Sequence, residues 1–578
     1  MSEKFDKNLI QQIIDSNEFK GWLLSRRWFG DKSALSNLDF KIEIQYFEII
    51  EERLFITVIK IESGDYSKSY FLPLIYYHKI EEILEPDEKT QENIVKLIGN
   101  TFSKMLIRTL STEEQGKVFP VNLIEAEYCL FFWRKILFDT IISESFPSMS
   151  LELTLYTEQF QDEINMTKVQ TLIEASLYPE RYNLSLKQLG GGNTTNLLFL
   201  LYVQNVNKPH QDPLSYVIKS YKEYSESLEP KTLFVLVKNK YPNAPKIYGT
   251  VRFHNKETIG ILEDVPNMGN LGDIYWKELN NMVNSVFKSI DDDYSHLADK
   301  EKVSEIIKNF SVESLRVSEL IGVHIKELHK ALIIVDDNQY SQEIVDSTEY
   351  LRLYTEKLNF MLSTIQTNMN KKSEGAFYNS PKIAAILIDI NDIIEKFRTE
   401  FNVKNIKIQP VHQDLHMQQI LYNKINDHYH FYFIDFEGDP QLEITEKKAK
   451  FPIEKDLGSF LRSLSYIKFN TLLNFIEKMI VDKKKFEVPE EFLFSIYFRK
   501  SAKITRKHKM LEYLLKLLNA WENRMMGKIF DKSLNLHFTL INYFTIERAL
   551  HELDYELLYR PRNIIIPILG LKELIDKY

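Results

Sequence analysis

The stretch QPVHQDLHMQQILYN, residues 409–423, crowds two histidines, an aspartate and several glutamines into the positions His412 to Gln419. HYHFYFIDFEG follows at residues 428–438. The pair reads as two short extended pieces around a turn rich in Asn and Asp. Their surroundings are helical. Ile383, Ile386, Ile390, Ile393 and Phe397 recur at steps of three and four, as do Leu320, His324 and Leu328 at steps of four, the spacing of amphipathic helices. A polar loop between strands, set in a helical body, holds its side chains on a rigid support.

Working outward toward the N-terminus, the pattern changes to strands. Residues 40–75 alternate apolar and polar positions and break at Gly64-Asp65, which predicts antiparallel strands. Residues 89–109 return to helical spacing through Ile94, Leu97, Ile98, Phe102 and Leu106. A second strand-rich region covers residues 151–265. LKQLGGGNTTNLLFLLYVQ (residues 186–204) places a triple glycine between apolar segments, as a hairpin turn would. LSYVIKSY (214–221) then reads as a strand carrying Lys219, PKTLFVLVKNKYP (230–242) as a helix and TIGILEDV (258–265) as another strand. The expected divisions are residues 1–110, 111–265 and 266–578, in an α+β fold.

Composition narrows the class. The 578 residues exceed one compact core, and 44% hydrophobic with 27% charged residues is a globular balance. A formal net charge of −9 gives no pull toward nucleic acid or anionic membrane and favours a small solute as partner. Cys129 is the only cysteine, which excludes an internal disulfide and a thiolate metal cluster. The N-terminal stretch lacks the apolar core of a signal peptide, and no apolar run reaches the about 18 residues of a membrane span. The expectation is a cytoplasmic protein.

Phosphoryl transfer asks little covalent work of a protein; it needs metal ions on the phosphates, a cation beside them and a carboxylate aimed at the nucleophile. Asp414 is the candidate carboxylate. Gln419 follows five positions later, the separation between base and metal-binding amide in a kinase catalytic loop. Asp435 ends a strand, where a carboxylate can hold Mg²⁺ through a hard oxygen. Lys219 on its strand is the candidate cation. Each part alone has a plainer reading: a capping aspartate, a turn, a surface amide, a snorkelling lysine. Their order along the chain, with a glycine turn upstream, favours the shared one. Two histidines four apart, with no third ligand beside them, do not make a zinc site of His412 and His416.

The chain resembles the maltokinases, within the aminoglycoside-phosphotransferase-like small-molecule kinases. RRWFGDKS (26–33) is similar to the motif opening their N-terminal cap domain, GGNTTNLLF (191–199) to their phosphate loop and YVIKSY (216–221) to their lysine strand. GILEDVPNMGNLGDIYW (260–276) resembles their interlobe hinge, ELIGVHIKELHKAL (319–332) a family helix, and VHQDLHMQQIL (411–421) the catalytic loop. FYFIDFEGDP (431–440) with EKDLGSFLRSLSY (454–466) resembles the metal segment and following helix, and HELDYELLYRPRNIIIPILGL (551–571) the C-terminal end.

The resemblance implies a bilobal protein kinase-like fold: an N-terminal β-rich cap (1–110), a small β-sheet lobe (111–265) and a mainly helical C-lobe (266–578). It implies ATP and Mg²⁺ as cofactors and transfer to the anomeric hydroxyl of maltose, giving maltose 1-phosphate for α-glucan synthesis from trehalose. Asp414 is then the catalytic base, and Gln419 and Asp435 the metal ligands. Lys219, Asn193 and Thr194 contact the nucleotide phosphates, and Glu263 to Val265 offer backbone to adenine. His416, Glu552, Tyr555 and Glu556 are the candidate sugar contacts, by residue type and by the family position of that helix. Asp456 and Arg462 would tie their helix to the catalytic loop. Trehalose synthase is an implied partner, and monomer and homodimer stay open. So do two rival readings, a kinase for glucosamine or another monosaccharide and a silent pseudokinase. The pattern departs from the family at Asn196, in an otherwise apolar position, and at Gln413, where a small residue is usual. The acidic partner of Lys219 is open: Glu226 and Glu229 lie near, and alignment puts Leu233 there. Residues 285–310, 365–380 and 480–510 read as additions.

Overall fold

The computed structural model describes residues 7–577 apart from 31–34, 36–38, 65, 78, 85–121, 140–149, 161, 191–194, 372–380, 440–441, 482–483, 485–487, 498–504 and 531–535. The expected helix at 89–109, Asn193 and Thr194 therefore lie outside the described residues, as do parts of the expected additions at 365–380 and 480–510. The addition at 285–310 contains the helix Lys300–Phe310. Two compact units divide the chain: Met1–Lys238 with Pro245–Val265, and Asn239–Ala244 with Pro266–Tyr578.

In the first unit, β1 (Lys41–Glu51), β2 (Leu54–Ser63), β3 (Tyr66–Tyr77) and β4 (Asn122–Glu125) form an antiparallel sheet in that order. Alternation in β1 turns Ile42 and Ile44 inward, and Gly64 at φ +58° closes the β2–β3 turn in a conformation that costs a glycine little. A second sheet has the order β5-β9-β10-β8-β7-β6, from β5 (Leu151–Leu155), β6 (Tyr182–Leu189), β7 (Leu197–Asn205), β8 (Leu214–Ser220), β9 (Ile247–Phe253) and β10 (Lys256–Glu263). The sheets are joined by backbone. β4 covers only Leu74–Tyr77 of its neighbour, and the chain leaving β8 pairs with the part left over: the Phe71 N–H donates to the Lys222 carbonyl and the Tyr224 N–H to the Ser69 carbonyl, each at 2.8 Å. One continuous apolar core runs through both, from Ile10 and Phe55 to Trp133, Phe199 and Phe253.

Inside that core sits a charge cluster. Lys222 is fully buried, with Nζ 2.6 Å from Glu127 and 3.3 Å from Glu125 and 4.8 Å from the Trp28 ring centroid. Arg26 reaches Glu125 at 3.9 Å. Two carboxylates and two cations so close nearly cancel, which is what makes their burial tolerable. Arg26 and Trp28 belong to RRWFGDKS, so that motif supplies part of the enclosure of the lysine.

The second unit is mainly helical. The helix Glu454–Met479 is buried around its whole girth, the pattern of a central helix. It packs among Leu271–Val286, Arg506–Phe530, Phe538–Tyr559 and Ile565–Lys577. Three strands, in the order β11 (Gly269–Asn270), β14 (Ile420–Ile425) and β15 (His428–Phe433), and a pair β12 (Glu343–Asp346) with β13 (Asn405–Ile408) interrupt it. β14 and β15 meet at Asn426-Asp427, both at positive φ (+47° and +66°), the hairpin turn that Asn and Asp accept most easily. The loop 409–419 runs between β13 and β14. No helix among the described residues is long and apolar enough to cross a membrane.

Candidate active site

In the first unit, β8 carries Lys219 into the sheet beside β10, opposite Gly260. Its ammonium lies 2.8 Å from Oε2 of Glu229, which also accepts the Tyr221 hydroxyl at 3.0 Å. Both side chains are almost completely enclosed. Glu229 opens the helix Glu229–Lys238, where a carboxylate is favoured by the helix dipole. This identifies the partner the sequence left open. Leu233 is core, and Glu226 pairs with Lys231 at 2.5 Å. Asn196, just before β7, accepts the Lys222 N–H at 3.0 Å through its side chain. An apolar residue there could not, which accounts for the departure. Val265 is buried, and the Glu263 N–H and carboxylate are both engaged with Lys246, at 2.8 and 3.1 Å.

In the second unit the crowded loop is held from beneath. Asp456, in the first turn of the Glu454–Met479 helix and wholly buried, accepts the N–H of His412 on Oδ2 at 2.9 Å and that of Gln413 on Oδ1 at 2.8 Å. His329 reaches the same carboxylate at 2.9 Å. Burial pushes the Asp456 carboxyl up, but the His329 bond, the fields of His329 and His412 and the His412 N–H outweigh it and hold it below its ordinary value. Gln413 sits at φ +71°, a left-handed conformation that costs of order 1 kcal/mol for a residue with a side chain. Its amide is fixed by donating to the Lys447 carbonyl at 2.5 Å.

His412 joins the loop to the end of β15: Nε2 donates to the Ile434 carbonyl at 2.9 Å and the ring leans on Phe436, 4.8 Å between centroids. Asp435 follows at φ +67°, and its Oδ2 accepts the Gln419 side-chain amide at 2.7 Å. The Gln419 carbonyl in turn accepts the Ile434 N–H at 2.9 Å. Asp435 and Gln419 are thus brought together on neighbouring backbones. A carboxylate and an amide carry the hard oxygens that suit Mg²⁺, and here Gln419 turns its amide nitrogen rather than its oxygen toward Asp435.

Asp414 stands on the same loop with His416 Nε2 3.7 Å from Oδ2. Burial, partly offset by Asp414, lowers the His416 pKa, so this imidazole is neutral at pH 7. The other Asp414 oxygen, Oδ1, is 2.5 Å from Nη1 of Arg548. Arg548 is on the Phe538–Tyr559 helix, one turn before Glu552, and its Nε lies 3.9 Å from Glu552 Oε1. Glu552 takes the Nε–H of buried Arg462 at 2.8 Å. Burial raises the Glu552 pKa against the pull of Arg462 and Arg548. Asp414, His416 and Glu552 are therefore linked, through an arginine that the sequence reading passed over. Its only local signal is the four-residue spacing to Glu552.

Glu556, one turn further, accepts the Tyr466 hydroxyl at 2.9 Å and is buried, which raises its pKa. Tyr555 is only partly covered; it packs on Tyr559 at 4.8 Å and under Arg560 at 5.3 Å.

No protein-family model matches the chain, and no curated protein does. Among solved structures it is similar to a glucosamine kinase in complex with glucosamine, ADP and inorganic phosphate, at 11% identity and TM-score 0.45 over 92% of this chain and 94% of that one. It is similar at lower scores to a Plasmodium vivax ethanolamine kinase (14% identity, TM-score 0.27, 68% of this chain and 89% of that one). A thermostable aminoglycoside phosphotransferase mutant, in ternary complex with ADP and hygromycin B, gives 10% identity and TM-score 0.30 over 69% of this chain and 98% of that one.

Proposed function

We propose that the chain is an ATP- and Mg²⁺-dependent sugar kinase that phosphorylates the anomeric hydroxyl of maltose. The observation that carries the reaction type is the second-unit arrangement: Asp435 and Gln419 bonded at 2.7 Å beside a loop whose backbone is clamped by buried Asp456, with Asp414 on that loop. In this reading Asp414 orients the acceptor hydroxyl and receives its proton as the bond from that oxygen to the γ-phosphorus forms and the bond to the bridging oxygen breaks, ADP leaving. Asp435 and Gln419 would hold Mg²⁺, which when bound offsets charge on the phosphate oxygens. Lys219, kept in place by Glu229, would contact the nucleotide phosphates, with Asn193 and Thr194 alongside and Glu263 to Val265 toward adenine. His416, Glu552, Tyr555 and Glu556 would line the sugar. Maltose as acceptor, a role in α-glucan synthesis and association with trehalose synthase rest on the family resemblance of the motifs.

The test is an acceptor screen with Mg-ATP against maltose, glucosamine and glucose, with the phosphate position read by NMR. Maltose 1-phosphate is the expected product. Turnover of glucosamine or glucose with none of maltose overturns the acceptor and leaves the kinase. Undiminished turnover in Asp414→Asn removes the base assignment.

A further inference from the structure

We infer that Arg548 is a positioning residue that fixes the Asp414 carboxylate, an inference that rests on the phosphoryl-transfer reading above. The guanidinium lies between two carboxylates, Nη1 at 2.5 Å from Asp414 Oδ1 and Nε at 3.9 Å from Glu552 Oε1. Its far end is anchored as well. Glu552 is held at 2.8 Å by Arg462, and Arg462 cannot drift, because it is buried against Gly570 so closely that a Cβ there would stand 2.5 Å from Nη1. The series Arg462, Glu552, Arg548, Asp414 alternates in sign, so two carboxylates are brought near one another without net repulsion.

The consequence falls on Asp414. One of its oxygens is taken by a cation mounted on a helix, which leaves the carboxylate a single orientation with Oδ2 on the His416 side, 3.7 Å from Nε2. In a loose phosphoryl-transfer transition state the carboxylate contributes more by aligning the hydroxyl than by abstracting its proton early. A fixed rotamer is what that task needs. Lysine would keep the charge but not the planar fork that reaches both carboxylates. The rival arrangement is a plug: Arg548 covering Asp414 until an acceptor displaces it. Removing a plug raises turnover, whereas removing a positioner lowers it.

The experiment compares wild type, Arg548→Met and Arg548→Lys as full chains, each checked for folding by circular dichroism, with Mg-ATP and the acceptor that wild type turns over. Arg548→Met is expected to lose about 100-fold in kcat, the cost of a mispositioned reacting group, with KM for ATP unchanged and partial rescue by millimolar guanidinium. Arg548→Lys, which keeps the buried charge and so the fold, is expected to lose about tenfold. Wild-type kcat in Arg548→Lys, or wild-type or faster kcat in Arg548→Met, overturns the positioning role and leaves the kinase reading intact. A wild-type protein that transfers phosphate to no acceptor removes both.

Discussion

Replacing Asp456 by Asn isolates what holds the catalytic loop. The carboxylate accepts two adjacent backbone N–H groups, at 2.9 and 2.8 Å, and meets His329 at 2.9 Å, all out of contact with water. Asn has one acceptor oxygen, so one of the two N–H groups must face an NH₂. A lost charge-assisted bond at about 1.5–3 kcal/mol and a stranded buried donor at about 1–3 kcal/mol sum to roughly 2.5–6 kcal/mol. Because that energy is localised at His412 and Gln413, the loop should open before the unit unfolds. Hydrogen exchange of the peptide spanning 410–416 should quicken by at least about 100-fold, the order of magnitude that about 2.5 kcal/mol represents, and kcat should fall while KM for ATP stays.

The pH dependence carries a sign. The folded Asp456 pKa is depressed, so its contribution is complete above the unfolded value near 3.9 and fades as pH drops through the folded value. The stability gap between wild type and Asp456→Asn should therefore narrow below about pH 4. Exchange within twofold of wild type at pH 7 would refute the clamp.

Three other substitutions probe separate parts. Glu229→Gln leaves buried Lys219 without its carboxylate (2.8 Å) and should raise KM for ATP about tenfold or more, as losing a charged hydrogen bond would; an unchanged ATP titration contradicts the pairing. Gly570→Ala puts a methyl 2.5 Å from Arg462 Nη1, so Arg462 must leave Glu552, at about 1–3 kcal/mol of overpacking. Urea titration measures that loss, and activity should drop with it. Lys468 is buried between Glu522 at 2.5 Å and Glu573 at 2.6 Å; Lys468→Met takes the cation away from both carboxylates and should cost about 3–5 kcal/mol, read as a lower melting temperature than in Lys468→Arg.

What the sequence disclosed was local. The hairpins at Gly64 and at Asn426-Asp427, the strand bearing Lys219 and the loop between extended segments all follow from period and turn chemistry, each within a few residues of itself. Between Glu226 and Glu229 the sequence could not choose, because eight irregular residues separate β8 from its helix, and counting along the chain does not say where such a loop delivers its carboxylate. Arg548 and His329 escaped for a related reason: each reaches the loop at 409–419 from a helix far away in sequence, and a helical period marks a buried face without naming what it faces. By residue type Lys222, Lys468 and Arg462 belong at the surface, and only for Arg462 does the sequence offer more, an expected tie between its helix and the catalytic loop. Only the fold shows them enclosed, each beside carboxylates supplied by other segments.

The ammonium of Lys222 sets a limit on where this protein can be divided. A chain starting at residue 150 would retain every strand from β5 to β10 and the whole of the Lys219–Glu229 pair, and on a topology diagram it would look self-sufficient. It would also have discarded Glu125, Glu127, Arg26 and Trp28, leaving a cation in an apolar wall with only solvent to answer it. A shortened gene of that kind should yield insoluble product, because the apolar core that the two sheets share would be laid open along with that cation.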